Sequence, residues 1–211
     1  MQHKSSTFLL RCSGVLLMLF LFLTYGVVTG ATLALDEALI QRVSMLEHPF
    51  LTAMLIALSF IGSTIPVVVL SAVMLLILYL FTKKKRDVIF FVAVSLCSVT
   101  LNVLLKSYFE RERPSIIEMI EETGFSYPSA HAMAAFTLYG AVTFLLWRHL
   151  KKRKSRRFLV GAAASIILLM GFSRIYLGVH YPSDVIGGYL VSGALLTISI
   201  FIYQFIEHNI P

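Results

Sequence analysis

The sequence predicts an all-α, polytopic membrane protein. Six transmembrane helices form a single domain over residues 1–211, with an active site at the outer membrane face. Three observations carry that prediction. Of the 211 residues, 58% are hydrophobic and only 14% are charged, where a soluble domain carries about 25% charge. Mean hydropathy is +0.84. The apolar residues gather in long runs, and a run of ~20 suffices to cross a bilayer.

The first run, Ser13–Thr29, follows Lys4 and Arg11. A secretory signal would begin the same way, but no small-x-small cleavage site follows, so an uncleaved first span is expected. Asp36–His48, of mixed polarity, is then placed at the interface on the far side. Leu51–Phe81 is too long for one straight span and is punctuated by Gly62, Ser63 and Pro66. Proline is accommodated in a first helical turn. The second span is therefore expected at Thr64–Phe81, after an apolar interfacial segment. The remaining spans are expected at Val88–Leu105, Ala132–Trp147, Phe158–Phe172 and Val185–Ile206.

Charge orients the spans. With the amino terminus in the cytosol, all of the 18 Lys and Arg except Arg42, Lys106, Arg111, Arg113 and Arg174 fall on the cytoplasmic side. Positive loops stay cytoplasmic, so both termini are expected inside the cell. Net charge +7 and a pI near 9.5 would suit nucleic acid, but the charge is clustered beside the spans as topology anchors. No nucleic-acid partner and no obligate protein partner is expected. Cys12 and Cys97 lie in apolar runs without a CxxC pair, which predicts neither a disulfide framework nor a cysteine metal site.

Three polar segments interrupt this background, and all fall on the outer side: Lys106 to Arg113-Pro114, Pro128-Ser129-Ala130-His131, and Ser173-Arg174 to His180 and Asp184. Each lies where a span begins or ends, so helix ends can bring them together. Alone, Lys106 is a snorkelling lysine and Arg113 a loop cation. As a pair they suit phosphate, because an arginine fork donates two parallel hydrogen bonds and a lysine supplies a point charge. Ser129 is a candidate N-cap, and a helix start is an anion site in its own right. His131 reads as a proton donor beside that anion, against the plainer reading of an interfacial histidine. His180 and Asp184 are four residues apart. A carboxylate on one imidazole nitrogen fixes the tautomer and leaves the other as a nucleophile; a purely structural pair is the competing reading. Glu110, Glu112, Glu118, Glu121 and Glu122 have no tight ligand spacing and read as a solvated loop balancing Arg111 and Arg113, in preference to a metal site. The ensemble is a kit for breaking a phosphate ester through a phosphohistidine at a membrane surface.

In this order the segments resemble the type 2 phosphatidic acid phosphatase family, whose pattern is K-x6-RP, PSGH and SR-x5-H-x3-D. The chain reads Lys106-SYFERE-Arg113-Pro114, PSAH over 128–131, and Ser173-Arg174-IYLGV-His180-YPS-Asp184. The motifs cover 106–184, and the six-span layout extends the likeness over nearly the whole chain. The resemblance implies that His180 is the nucleophile, oriented by Asp184, and that His131 protonates the leaving oxygen. It implies that Lys106, Arg113, Arg174, Ser129 and the backbone at Ala130 hold the phosphoryl oxygens, with no metal and no cofactor. The implied substrate is a lipid phosphate entering sideways from the bilayer. Phosphatidylglycerophosphate and undecaprenyl pyrophosphate both fit, the first being favoured. One departure is visible: the family's glycine is Ala130, which would be strained if the position needs positive φ. Two rivals stand beside this reading. A non-catalytic scaffold or lipid-binding protein has no need of both histidines. A vanadate-dependent haloperoxidase, similar at the phosphate pocket, fits poorly with six spans and no large soluble domain.

Overall fold

The computed structural model describes residues 2–117 and 119–209, the side chains of residues 2–6 excepted. Among them the apolar runs fold into eight helices: α1 (Gln2–Val28), α2 (Leu33–Ser44), α3 (Pro49–Ile61), α4 (Thr64–Thr82), α5 (Lys85–Phe109), α6 (Ala130–Trp147), α7 (Arg153–Tyr176) and α8 (Pro182–Asn209). Six of these, α1 and α4 to α8, are long and apolar enough to cross a membrane, and the chain is a multi-pass membrane protein. Each expected span coincides with one of them; only Thr29 falls outside, one residue beyond α1. The helices run past the apolar runs into flanking residues such as Lys106 and Arg153. Long cationic side chains reach the headgroup layer without leaving the helix.

The expected break at Gly62 and Ser63 separates α3 from α4. The apolar segment before it is a 13-residue helix, α3, with Pro49 in its first turn and His48 as its cap, Nδ1 accepting from Phe50 N–H at 3.3 Å. Tyr176, the last residue of α7, ties α3 down: its hydroxyl accepts from His48 N–H at 3.2 Å and shares a 2.8 Å hydrogen bond with Thr52. The expected interfacial stretch Asp36–His48 has regular structure of its own. Most of it is α2, which buries Asp36.

Helix association in lipid depends on close approach of small residues, since lipid tails are as apolar as leucine. α6 accordingly sits centrally, against α4, α5, α7 and α8, and buries Ala132, Ala135, Thr137 and Ala141. α8 buries Gly187, Gly188, Gly193 and Ala194 and lies along α1. The outer faces of α1 and α4 expose Phe22, Leu21, Ile65 and Leu80, as lipid-facing surfaces do.

The ends of α5 and α7 and the starts of α6 and α8 meet at one end of the bundle, with α2, α3 and the segment 110–129 over them. The basic segments Lys83–Arg86 and Arg148–Arg157 lie at the opposite end, where Arg148 pairs with Glu207 at 2.6 Å. The 110–129 segment is held by Met119 N–H on Leu177 C=O (3.2 Å), Ser126 N–H on Arg111 C=O (2.8 Å) and Asn102 Nδ2 on Pro128 C=O (3.1 Å). Gly178 makes the first possible: its φ is +75°, and a Cβ there would collide with the Ile117 carbonyl oxygen.

Candidate active site

α7 ends at Tyr176, and a tight turn through Gly178 leads to His180, whose N–H donates to Arg174 C=O at 3.2 Å. Pro182 then opens α8 and puts Asp184 in its first turn, where a carboxylate complements the helix dipole. Both side chains are fully buried. His180 Nδ1–H donates to Asp184 Oδ2 at 3.4 Å, and the opposite nitrogen, Nε2, faces Arg113 Nη1 at 3.4 Å. The two ring nitrogens therefore face different partners, a carboxylate on one side and a guanidinium on the other. Burial, reinforced by the charges of Arg113 and Arg174 and opposed by Asp184, pushes the His180 imidazole down to about 3, so it stays neutral with a free lone pair.

The cations wrap the same loop. Arg113 donates to the carbonyls of Val179 (2.8 Å), Gly124 (2.9 Å) and Thr123 (3.1 Å), and Lys106 Nζ donates to Phe125 C=O at 2.5 Å. Arg174 is buried at 1% exposure, hydrogen-bonded to Ser59 of α3 and ion-paired with Glu122; among the described residues its Nε has no hydrogen-bond partner. Ser129 caps α6, its hydroxyl accepting from Ala132 N–H at 3.4 Å, and its own N–H donates to Asp184 C=O at 3.1 Å. Ala130 opens α6, and only Lys83 and Glu110 among the described non-glycine residues have positive φ. The strain that alanine would suffer there does not arise, and its N–H stays among the unpaired donors of the helix start. His131 follows, with Nδ1 3.9 Å from Glu122.

All eight residues singled out from the sequence thus lie at this end of the bundle. One reading is corrected. Glu122 is not simply a solvated loop acid: it is paired with Arg174 and lies 3.6 Å from Arg113. Arg111 is not balanced by the loop acids; half-buried, it pairs with Asp184 and Asp36. Ser126, which donates to Asp184 Oδ2 at 2.5 Å, was also outside the sequence reading. None of these three carries a motif signal, because their partners are remote in sequence. Glu118 lies outside the described residues. Among the described residues no group of three or more His, Cys, Asp or Glu is arranged to hold a metal ion.

A buried imidazole aligned by a carboxylate, ringed by cations at the ends of apolar helices, is the construction of a membrane phosphatase. The chain belongs to the PAP2 superfamily, whose sequence pattern matches residues 87–208. It is similar to phosphatidylglycerophosphatase B of Bacillus subtilis, 30% identical over 82% of this chain and 86% of that one. It is also similar to the undecaprenyl-diphosphatase BcrC of the same organism, 29% identical over 59% of this chain and 63% of that one. A crystal structure of a transmembrane PAP2-type phosphatidylglycerolphosphate phosphatase from Bacillus subtilis superposes with a TM-score of 0.83 at 28% identity, covering 94% of this chain and 97% of that one. The expected fold and family are those found.

Proposed function

We propose that this protein hydrolyses phosphatidylglycerophosphate to phosphatidylglycerol through a phosphohistidine, at the extracytoplasmic face of the cell membrane. The observation that carries this reading is His180, held neutral between Asp184 on Nδ1 and Arg113 beside Nε2. In the first step Nε2 attacks phosphorus, the bond from phosphorus to the lipid oxygen breaks, and His131 gives its proton to that oxygen. In the second, water attacks the phosphohistidine, His131 takes the water's proton, and phosphate leaves with His180 restored. Lys106, Arg113, Arg174, Ser129 and the backbone N–H at Ala130 stabilise the equatorial oxygens, where charge accumulates. Three cations supply the charge that a metal ion would otherwise bring, so metal-independent turnover is expected.

Undecaprenyl pyrophosphate is the second substrate to consider, since relatives named undecaprenyl-diphosphatase match the same region. The test is phosphate release by the detergent-purified protein in EDTA, with phosphatidylglycerophosphate, undecaprenyl pyrophosphate and phosphatidic acid side by side. Release fastest from the first supports the proposal. Preference for the second reassigns the substrate, and release that requires Mg²⁺ overturns the metal-free mechanism.

A further inference from the structure

We infer that Arg111 and Asp36 form a positioning relay: Asp36 of α2 pins Arg111, and Arg111 holds Asp184 in the plane that aligns the His180 imidazole. The inference rests on the roles proposed above for His180 and Asp184.

The two oxygens of Asp184 have separate partners. Oδ2 accepts from His180 Nδ1 (3.4 Å), Tyr181 N–H (2.8 Å) and Ser126 Oγ (2.5 Å). Oδ1 accepts from Arg111 Nη1 at 2.5 Å. A carboxylate gripped at one oxygen can still turn about its last torsion, which is soft for aspartate. Gripped at both, it cannot. Arg111 is itself gripped at both ends: Nη1 also donates to Ser183 Oγ at 2.7 Å, and Nη2 donates to Asp36 Oδ2 at 2.9 Å. Its guanidinium lies over the Tyr181 ring, 4.1 Å from the centroid. Asp36 closes the circuit by accepting from Ser183 N–H (2.9 Å) and Ser183 Oγ (2.5 Å). Side-chain exposures of 4%, 13% and 0% for Asp36, Arg111 and Asp184 make these charges expensive to bury for packing alone, because a buried ion pair is weak evidence of stability. The arrangement draws on α2, the segment after α5, and α8, so the connection between the first two spans reaches the nucleophile.

The test measures the rate of phosphohistidine formation over a range of phosphatidylglycerophosphate concentrations up to saturation, by alkaline quench of the detergent-purified full chain. The variants are Arg111→Ala, Arg111→Lys, Asp36→Asn, their double combination and His180→Ala, with folding followed by size exclusion and thermal unfolding. Arg111→Ala is expected to slow formation about 10²-fold with KM nearly unchanged, the effect of a misaligned reactant. Added guanidinium should restore part of the rate, and Arg111→Lys should keep less than a tenth of it, roughly, since a point charge cannot bridge two carboxylates. Asp36→Asn is nearly isosteric and carries the test if Arg111→Ala does not fold. It should slow the same step, and add nothing in the Arg111→Ala background. Wild-type rates in folded Arg111→Ala or Asp36→Asn, or a loss confined to KM, overturn the relay. Phosphohistidine formed at the wild-type rate by His180→Ala would instead overturn the nucleophile assignment, and the relay with it.

Discussion

At the scale of one residue, the nucleophile proposed here, His180, is prepared by burial. Its protonated form cannot attack phosphorus, so activity requires the neutral ring. Burial and the charges of Arg113 and Arg174 hold the imidazole at about 3, against the pull of Asp184. The sign follows directly: the neutral fraction rises with pH, and wild-type kcat/KM should show no His180 limb above about pH 5, where an ordinary histidine would titrate at ~6.5. Replacing Arg113 by glutamine removes a positive neighbour and should move the acidic limb to higher pH. A pH–rate profile checks both statements, and a limb unmoved by the substitution contradicts them. Glu122 makes a second prediction at this scale. Its carboxylate sits against Arg174 and near Arg113 and His131, so an incoming phosphate has to displace it. Glu122→Gln should lower the KM and the inhibition constant of inorganic phosphate by roughly fivefold, the equivalent of about 1 kcal/mol for a partly exposed ion pair. Steady-state kinetics with phosphate as inhibitor would show it.

Among the elements, the elbow between α3 and α4 matters most for the site. Gly62 has an ordinary helical φ of −80°, so its need is for space and not for backbone freedom. A Cβ at Gly62 would lie 2.6 Å from His131 Cδ2 and 2.7 Å from the Met170 sulfur. Met170 can bend away, but the imidazole ring has to move as a unit. Gly62→Ala should therefore displace the proton donor and cut kcat by about 10²-fold, the scale of a 1 Å misplacement, while His180 still becomes phosphorylated by an activated substrate whose leaving group needs no proton. Comparing a lipid phosphate with such an activated ester separates this outcome from general damage. The same elbow carries Ser59 to Arg174, so α3 serves the site as well as linking two spans.

Across the whole molecule the two ends of the bundle divide the work. The end remote from His180 is clamped by Asp87 of α5, 1% exposed and hydrogen-bonded to Tyr203 of α8, and by Arg148, which pairs with Glu207 and lies over the Tyr203 ring. Tyr203→Phe removes the donor and leaves a buried carboxyl group without it. The expected loss is about 1–3 kcal/mol of stability, read as a lower unfolding temperature in detergent with kcat of the folded fraction unchanged. Orientation is the other prediction at this scale. With Cys12 and Cys97 replaced by serine, Glu112→Cys should react with a membrane-impermeant maleimide in intact cells, and Lys152→Cys only after lysis. The reverse pattern would put the site in the cytosol.

The six spans, the break at Gly62 and Ser63, and the eight motif residues were legible in the sequence. Apolar length and basic flanks are local properties, and the three motifs fall at helix ends whatever the detailed packing. The tertiary structure decided the rest. Asp36, Arg111 and Ser126 reach Asp184 from three separate segments, and no periodicity or spacing encodes such distances. Glu122 looks from sequence like its neighbour Glu121; only the fold of the 110–129 segment turns one of them towards Arg174. Ala130 posed a question of backbone conformation that composition could not answer, and its place as the first residue of α6 answers it. Sequence by itself determined which chemistry the chain carries and at which end of the bundle, because hydropathy and charge act residue by residue. Tertiary structure decided which charges face one another, because burial and hydrogen-bond geometry are properties of helices packed together.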